Sequence, residues 1–187
     1  QMKNAPLEYT WVIDPLDGTH NYIRGISSYG VSIGLIRGQE FLIGVIYLPH
    51  ESALYVSEKG SGAYKNDQPI HVSNVSRIQD CTLAFDSGFR NDVEVKTSML
   101  QKVAPRVFNA RIFGASVRNF TYLAEGIVDA IIEFDDKLWD FAAGISLVLE
   151  AGGQVSDHSG APFIPEFHNY LASNGKIHTQ MLQLMNN

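Results

Sequence analysis

A single cysteine, Cys81, is all the thiol chemistry this chain carries. One thiol cannot close an internal disulfide, so the fold must rest on its core, which suits a reducing, cytoplasmic setting. Cys81 falls in the strand-like run 81–85 and is expected to pack as a small hydrophobe rather than act as a nucleophile. The six histidines form no close pair and there is no Cys-x-x-Cys, so the usual zinc spacings are missing. No run of Lys and Arg occurs, and the net charge is −6. Both argue against a nucleic-acid partner. No apolar stretch reaches the ~18 residues of a membrane helix, and nothing resembles a signal peptide, so no membrane partner is expected. Internal repeats and low-complexity linkers are also missing.

What is present fits one domain with a real core: 187 residues, 45% hydrophobic and 18% charged. Residues 29–37 and 41–48 alternate like two strands of a hairpin, with 53–56 a third strand and 70–72 a short fourth. The segments 60–62 and 65–69 read as turns. From residue 81 onward, strands (81–85, 107–113, 129–134, 154–156, 170–172) alternate with helices (92–103, 116–125, 139–151 and one from 174 towards 185). An antiparallel first half followed by a partly parallel α/β half is the expectation; periodicity alone gives mixed α and β.

The most informative stretch is Trp11-Val12-Ile13-Asp14-Pro15-Leu16-Asp17-Gly18-Thr19. A strand, expected to be buried over 11–13, delivers two carboxylates three positions apart. Pro15 fixes φ just after Asp14 and biases Asp14 towards an extended conformation. The turn after it can bring Asp14, the Leu16 carbonyl and Asp17 to one point, the oxygen-only set that suits Mg²⁺. Gly18 permits close backbone approach to a ligand, Thr19 can cap the helix or short turn next to it, and free N–H groups at such a start attract anions. His20 beside them is expected to be a polar loop residue.

A second acidic element, Trp139-Asp140-Phe141-Ala142-Ala143-Gly144, opens a helix that ends at Glu150-Ala151-Gly152-Gly153. Its small residues allow another backbone to come close. Asp140 would either complement the helix dipole or share a metal with Asp14 and Asp17. Acids around a phosphate make sense only when cations lie between them.

These two stretches resemble the two signatures of the inositol monophosphatase family of metal-dependent phosphatases, in the right order, and the resemblance runs from about Trp11 to the C-terminus. It implies a five-layer α-β-α-β-α sandwich of the inositol monophosphatase and fructose bisphosphatase type, lacking its N-terminal helices, with both signatures at one cleft. It further implies Mg²⁺ as cofactor, a small phosphate monoester as substrate and a homodimer. Family members begin with helices, a hairpin and a metal-binding, water-activating Glu ahead of the first signature. The chain opens Gln1-Met2, so it is expected to be the C-terminal portion of a longer protein.

Asp14, Leu16, Asp17 and Asp140 are then the candidate metal ligands, and Thr19, Asp17 and Asp140 the candidate catalytic groups. Gly18, Thr19 and Asp140 would meet the substrate, as would the loop Gly114-Ala115-Ser116, where Ser116 could equally cap a helix. Glu133, at a strand end, is where the family accepts inositol hydroxyls. Asp135, Asp136 and Asp86-Ser87-Gly88 read as turn residues, with loop contact to substrate open for the last, and Arg118 as a surface ion-pair residue. Hydrolysis of an inositol monophosphate is the expected reaction. The alternatives are a 3′(2′),5′-bisphosphate nucleotidase, a fructose-1,6-bisphosphatase, a histidinol-phosphate phosphatase, or a non-catalytic dimeric interaction protein.

Overall fold

The structure, a computed structural model, describes residues 8–187. Strand β1 (Tyr9–Asp17) and the short helix α1 (Thr19–Ile23) lead into β2 (Gly30–Arg37), β3 (Glu40–Leu48), β4 (Ala53–Glu58), β5 (Gly62–Lys65) and β6 (Gln68–Pro69). These six strands form one antiparallel sheet in chain order. Next come β7 (Thr82–Phe85), α2 (Val93–Val103), β8 (Asn109–Arg111), α3 (Ser116–Ala124), β9 (Ala130–Glu133) and α4 (Leu138–Glu150). The chain closes with β10 (Gln154–Ser156), β11 (Tyr170–Ser173) and α5 (His178–Asn186). The second sheet runs β10-β11-β9-β7-β8, with β7 parallel to β8 and β9. This is the mixed α/β fold that the two halves of the sequence predict.

Helices α3 and α4 lie between the two sheets, and α2 and α5 cover the far side of the second. One core, including Val117, Phe120, Phe141, Ala142, Ile145 and Tyr170, fills the space between the sheets. A second, with Leu83, Phe85, Ile132, Met181 and Met185, lies under α2 and α5. The small residues of α4 work as expected. A side chain at Gly34 or Gly44 would collide with Ala142 or Ala143, and one at Gly144 would sit 2.1 Å from the Phe120 ring. Glu150 at the helix end accepts the N–H groups of Gly60 and Gly62, both at 2.9 Å, and so ties α4 to the β4–β5 turn.

Three local expectations need correction. The strand at 11–13 is not buried throughout: Val12 faces α4, but Trp11 is 59% and Ile13 57% exposed. β1 is an edge strand, and alternation turns every second side chain to the outer face. Across that face Ile13, Ile33, Val45, Val56 and Tyr64 stand in one row. No described element covers it. Residues 70–72 form no strand, because Ile70 bonds back to Ala63 and Val72 crosses to the Ala151 carbonyl. Residues 107–113 shrink to β8, which finds a partner only in Thr82–Ala84.

Candidate active site

Asp14 and Asp17 are three residues apart, so a regular strand would send them to opposite faces. A bulge prevents this: Asp14 pairs with Ser32 while Asp17 pairs with Gly30, three steps against two. The Leu16 N–H donates to Asp14 Oδ1 at 2.9 Å and folds that carboxylate over the turn. Asp17 Oδ2 accepts the Val117 N–H at 2.6 Å, from the first turn of α3. Asp140, in the first turn of α4, accepts the Lys137 N–H at 2.7 Å. One oxygen from each of Asp14, Asp17 and Asp140 lies within 4.8 Å of the other two. Two strand-borne acids and one helix-borne acid, distant in sequence, share one point.

Their protonation reflects this crowding. Burial pushes the Asp17 carboxyl up to about 7; the Val117 N–H opposes the shift, while Asp140 and Asp14 add to it. Burial also raises Asp140, opposed by the Lys137 N–H and reinforced by Asp14. No Lys or Arg side chain among the described residues pairs with any of the three. The missing counter-charge and the oxygen-only donor set fit a hard divalent cation.

Gly18 is held at φ 76, with the Ser28 carbonyl only 2.7 Å from where a side chain would begin. Thr19 does not cap α1. The cap position is Gly18, and Thr19 Oγ1 donates back to the Leu16 carbonyl at 2.8 Å. Ser116 likewise caps nothing. Ala115 holds the cap position of α3, and Ser116 Oγ donates to Asp136 at 3.3 Å. Both hydroxyls sit one residue inside the helix, where they meet side chains or loop carbonyls instead.

Gly114 and Ala115 wall a cavity of about 170 Å³ that also contacts Asp17, Ser116, Glu133 and Asp140. Glu133 is not a solvated strand end: it is 4% exposed and accepts from Asn119 Nδ2. Burial first, then Asp136 and Asp86, raise its carboxyl well above the ordinary range. Sequence reasoning missed several of these neighbours. Asp136, expected to be a turn residue, faces the same cavity, accepts the Tyr170 hydroxyl at 2.7 Å and is raised to about 8, chiefly by burial. Asp135 beside it does make the turn, at φ 59. Asp86 makes its turn by accepting the Gly88 N–H, yet it also pairs with buried Lys96. Asn21 spans the site: Nδ2 donates to the Ser28 and Phe113 carbonyls, each at 2.8 Å, and so binds the first motif to the 113–116 loop. Arg118 is no surface residue. It is 2% exposed, pairs with Glu51 and stacks over Tyr122 at 4.8 Å. His20 is exposed as expected and edges a neighbouring cavity of about 690 Å³.

Comparison with known proteins agrees with this geometry. The family described as the inositol monophosphatase family matches residues 2–187. The chain belongs to that family. A relative from Aquifex aeolicus named fructose-1,6-bisphosphatase/inositol-1-monophosphatase is 38% identical over 179 residues, 95% of this chain and 67% of that protein. An inositol-1-monophosphatase of Mesorhizobium japonicum is 33% identical over 181 residues, 94% of this chain and 67% of that protein. The chain thus spans about two thirds of these relatives. Among solved structures, an inositol monophosphatase from Anabaena superposes with TM-score 0.91 at 32% identity, over 96% of this chain and 75% of that one. The Bartonella henselae extragenic suppressor protein suhB gives 0.92 at 34%, over 96% and 70%. Membership in the inositol monophosphatase family points to a phosphatase and to metal dependence, and the acidic cluster is a site that could hold the metal. No described helix is long and apolar enough to cross a membrane.

Proposed function

We propose that this chain carries the Mg²⁺-dependent hydrolysis of a phosphate monoester of a small polyol, with myo-inositol monophosphate as substrate. The observation that carries this reading is the meeting of Asp14, Asp17 and Asp140 within 4.8 Å. Asp14, the Leu16 carbonyl, Asp17 and Asp140 would hold divalent cations. Bound there, Mg²⁺ supplies Lewis-acid polarisation of a phosphoryl group and a more acidic water.

The remaining work falls to the chain. Thr19 Oγ1 donates its hydrogen to the Leu16 carbonyl, which leaves its lone pairs to accept a hydrogen bond from an attacking water and orient it. The Gly18 and Thr19 N–H groups at the start of α1 receive phosphate oxygens. Gly114, Ala115, Ser116 and Glu133 receive the polyol. Asp140 holds the water that returns a proton to the leaving alkoxide. Asp17 and Asp140 line a cavity, and no Ser–His or Cys–His pair among the described residues lines it with them, which favours direct attack by water over a covalent intermediate.

Fructose 1,6-bisphosphate is the second reading, favoured by the name of the Aquifex aeolicus relative. The sequence His20-Asn21-Tyr22 after Thr19 disfavours a nucleotidase, in which Lys-Glu-Phe is expected. Turnover of inositol 1-phosphate, fructose 1,6-bisphosphate and 3′-phosphoadenosine 5′-phosphate, each with and without Mg²⁺, tests the assignment. Preference for the first supports it, and turnover of none points to the non-catalytic interaction protein. Light scattering on the same sample tests the homodimer.

A further inference from the structure

The wall of the cavity beside the aspartate cluster carries Asp86, whose ion pair with Lys96 the proposed chemistry leaves without a role. Lys96 on α2 is 2% exposed and Asp86, just after β7, is 6% exposed. Lys96 Nζ lies 2.5 Å from Asp86 Oδ2 and donates to the Gly88 carbonyl at 2.9 Å. It also stands 5.6 Å from the centre of the Phe134 ring. The other Asp86 oxygen takes the Gly88 N–H. Asp86 is therefore held from two sides in one orientation. A buried pair of this kind adds little stability over well-packed apolar residues. Its place on the cavity wall suggests a different use.

A neighbouring side chain signals that a ligand is expected there. Asn119 is 3% exposed and spends its Nδ2 on Glu133. Its Oδ1 is buried with no partner. A buried amide oxygen without a donor forfeits a hydrogen bond that something must restore. The same wall carries Asp86, Ser87 and Glu133. This end of the cavity is rich in acceptors, and the Lys96 ammonium beside it is already committed to Asp86.

We propose that Asp86, clamped by Lys96, is a specificity-determining residue that with Asn119 receives the O–H donors of the substrate's polyol at the end remote from its phosphate. Lys96 acts through Asp86 and is a positioning residue. The inference rests on the phosphatase reading above and extends it. The cavity selects an alcohol with adjacent hydroxyls, and it is unfavourable to a second phosphate, which would face Asp86 and the unpartnered Oδ1 of Asn119.

The test compares two esters in the full native protein with Mg²⁺: inositol 1-phosphate, and 4-nitrophenyl phosphate, which has no hydroxyls. In the paired variant Asp86→Asn/Lys96→Met, which removes both buried charges at once, the ratio of kcat/KM for the first ester over the second should fall about ten- to a hundredfold, mostly through KM. Lys96→Met alone should lower the ratio in the same direction. An unchanged ratio, or an equal loss for both esters, overturns the inference and leaves the phosphatase reading standing. Failure of the wild type to hydrolyse either ester overturns both. Should the paired variant not fold, the wild type decides on deoxy analogues of the substrate. A loss of about tenfold for at least one missing hydroxyl that persists in Glu133→Gln supports the inference; equal efficiency for all analogues, or a loss that Glu133→Gln abolishes, overturns it.

Discussion

The backbone N–H of Val117 donates to the carboxylate of Asp17 at 2.6 Å across 100 positions of sequence. That bond ties the start of α3 to the bulge of β1, and with them the loop from Gly114 to Ser116 to the Asp14–Asp17 turn. The Asn21 bonds to Ser28 and Phe113 brace the same junction from the other side. Geometry at the acid cluster is therefore set by tertiary contacts as much as by the motif itself.

Replacing Asp140 by Asn separates charge from fold. An amide oxygen can still accept the Lys137 N–H, so α4 keeps its first turn. The half-buried negative charge is lost. Mg²⁺-dependent phosphatase activity should fall by more than about a hundredfold while circular dichroism and the thermal midpoint stay within error or rise slightly. Unchanged turnover would reject the role given to Asp140.

Stability should depend on pH in a metal-sensitive way. Asp17 is raised to about 7 and Asp136 to about 8, with Asp140 and Glu133 also raised, all from lower values in the unfolded chain. Between those limits the folded state binds more protons than the unfolded state, so stability falls as pH rises from about 4 to 8. A divalent cation favours the ionised acids and offsets that fall. Thermal midpoints from pH 5 to 8 should decline in EDTA and decline less in Mg²⁺. Identical slopes in both would count against metal binding at the cluster.

Gly18→Ala tests the turn. The residue sits at φ 76, and an added Cβ would lie 2.7 Å from the Ser28 carbonyl and 2.9 Å from the Ala115 Cβ. A destabilisation of about 2 kcal/mol or more is expected in denaturant titration, because strain and collision act together. Gly25, also at positive φ but with nothing within 4 Å, should tolerate Ala with a smaller loss.

Arg118→Met should do the opposite of Asp140→Asn. The guanidinium is buried against Tyr122 and pairs with Glu51, which keeps partial access to water. Stability should drop by about 1–2 kcal/mol, while kcat/KM stays within about twofold. A large loss of activity in the folded variant would place Arg118 in the site.

Much of the fold and the site is legible in the sequence. Asp14, Asp17 and Asp140 stand out because each sits where a strand or helix meets a turn, and alternating patterns locate most of the longer elements to within a few residues, while the short β5 and β6 fall where the sequence reads turns. The rest depends on distant neighbours. The bulge that brings Asp14 and Asp17 to one side is defined by β2, not by β1. Asp86, Lys96, Asp136 and Arg118 look like ordinary polar residues of turns and helices, and only the arrival of other elements buries them. Thr19 and Ser116 have the residue type of helix caps, but the preceding residues, Gly18 and Ala115, already hold the cap positions. Exposure of Trp11 and Ile13 comes from the edge position of β1, which no local pattern announces.

The most direct measurement is anomalous diffraction from crystals of the protein grown with Mn²⁺ in place of Mg²⁺. An ion ligated at about 2.0–2.2 Å by oxygens of Asp17 and at least one of Asp14 and Asp140 is the expected result. Mn²⁺ found elsewhere, or no anomalous peak among the three aspartates at saturating concentration, would contradict it.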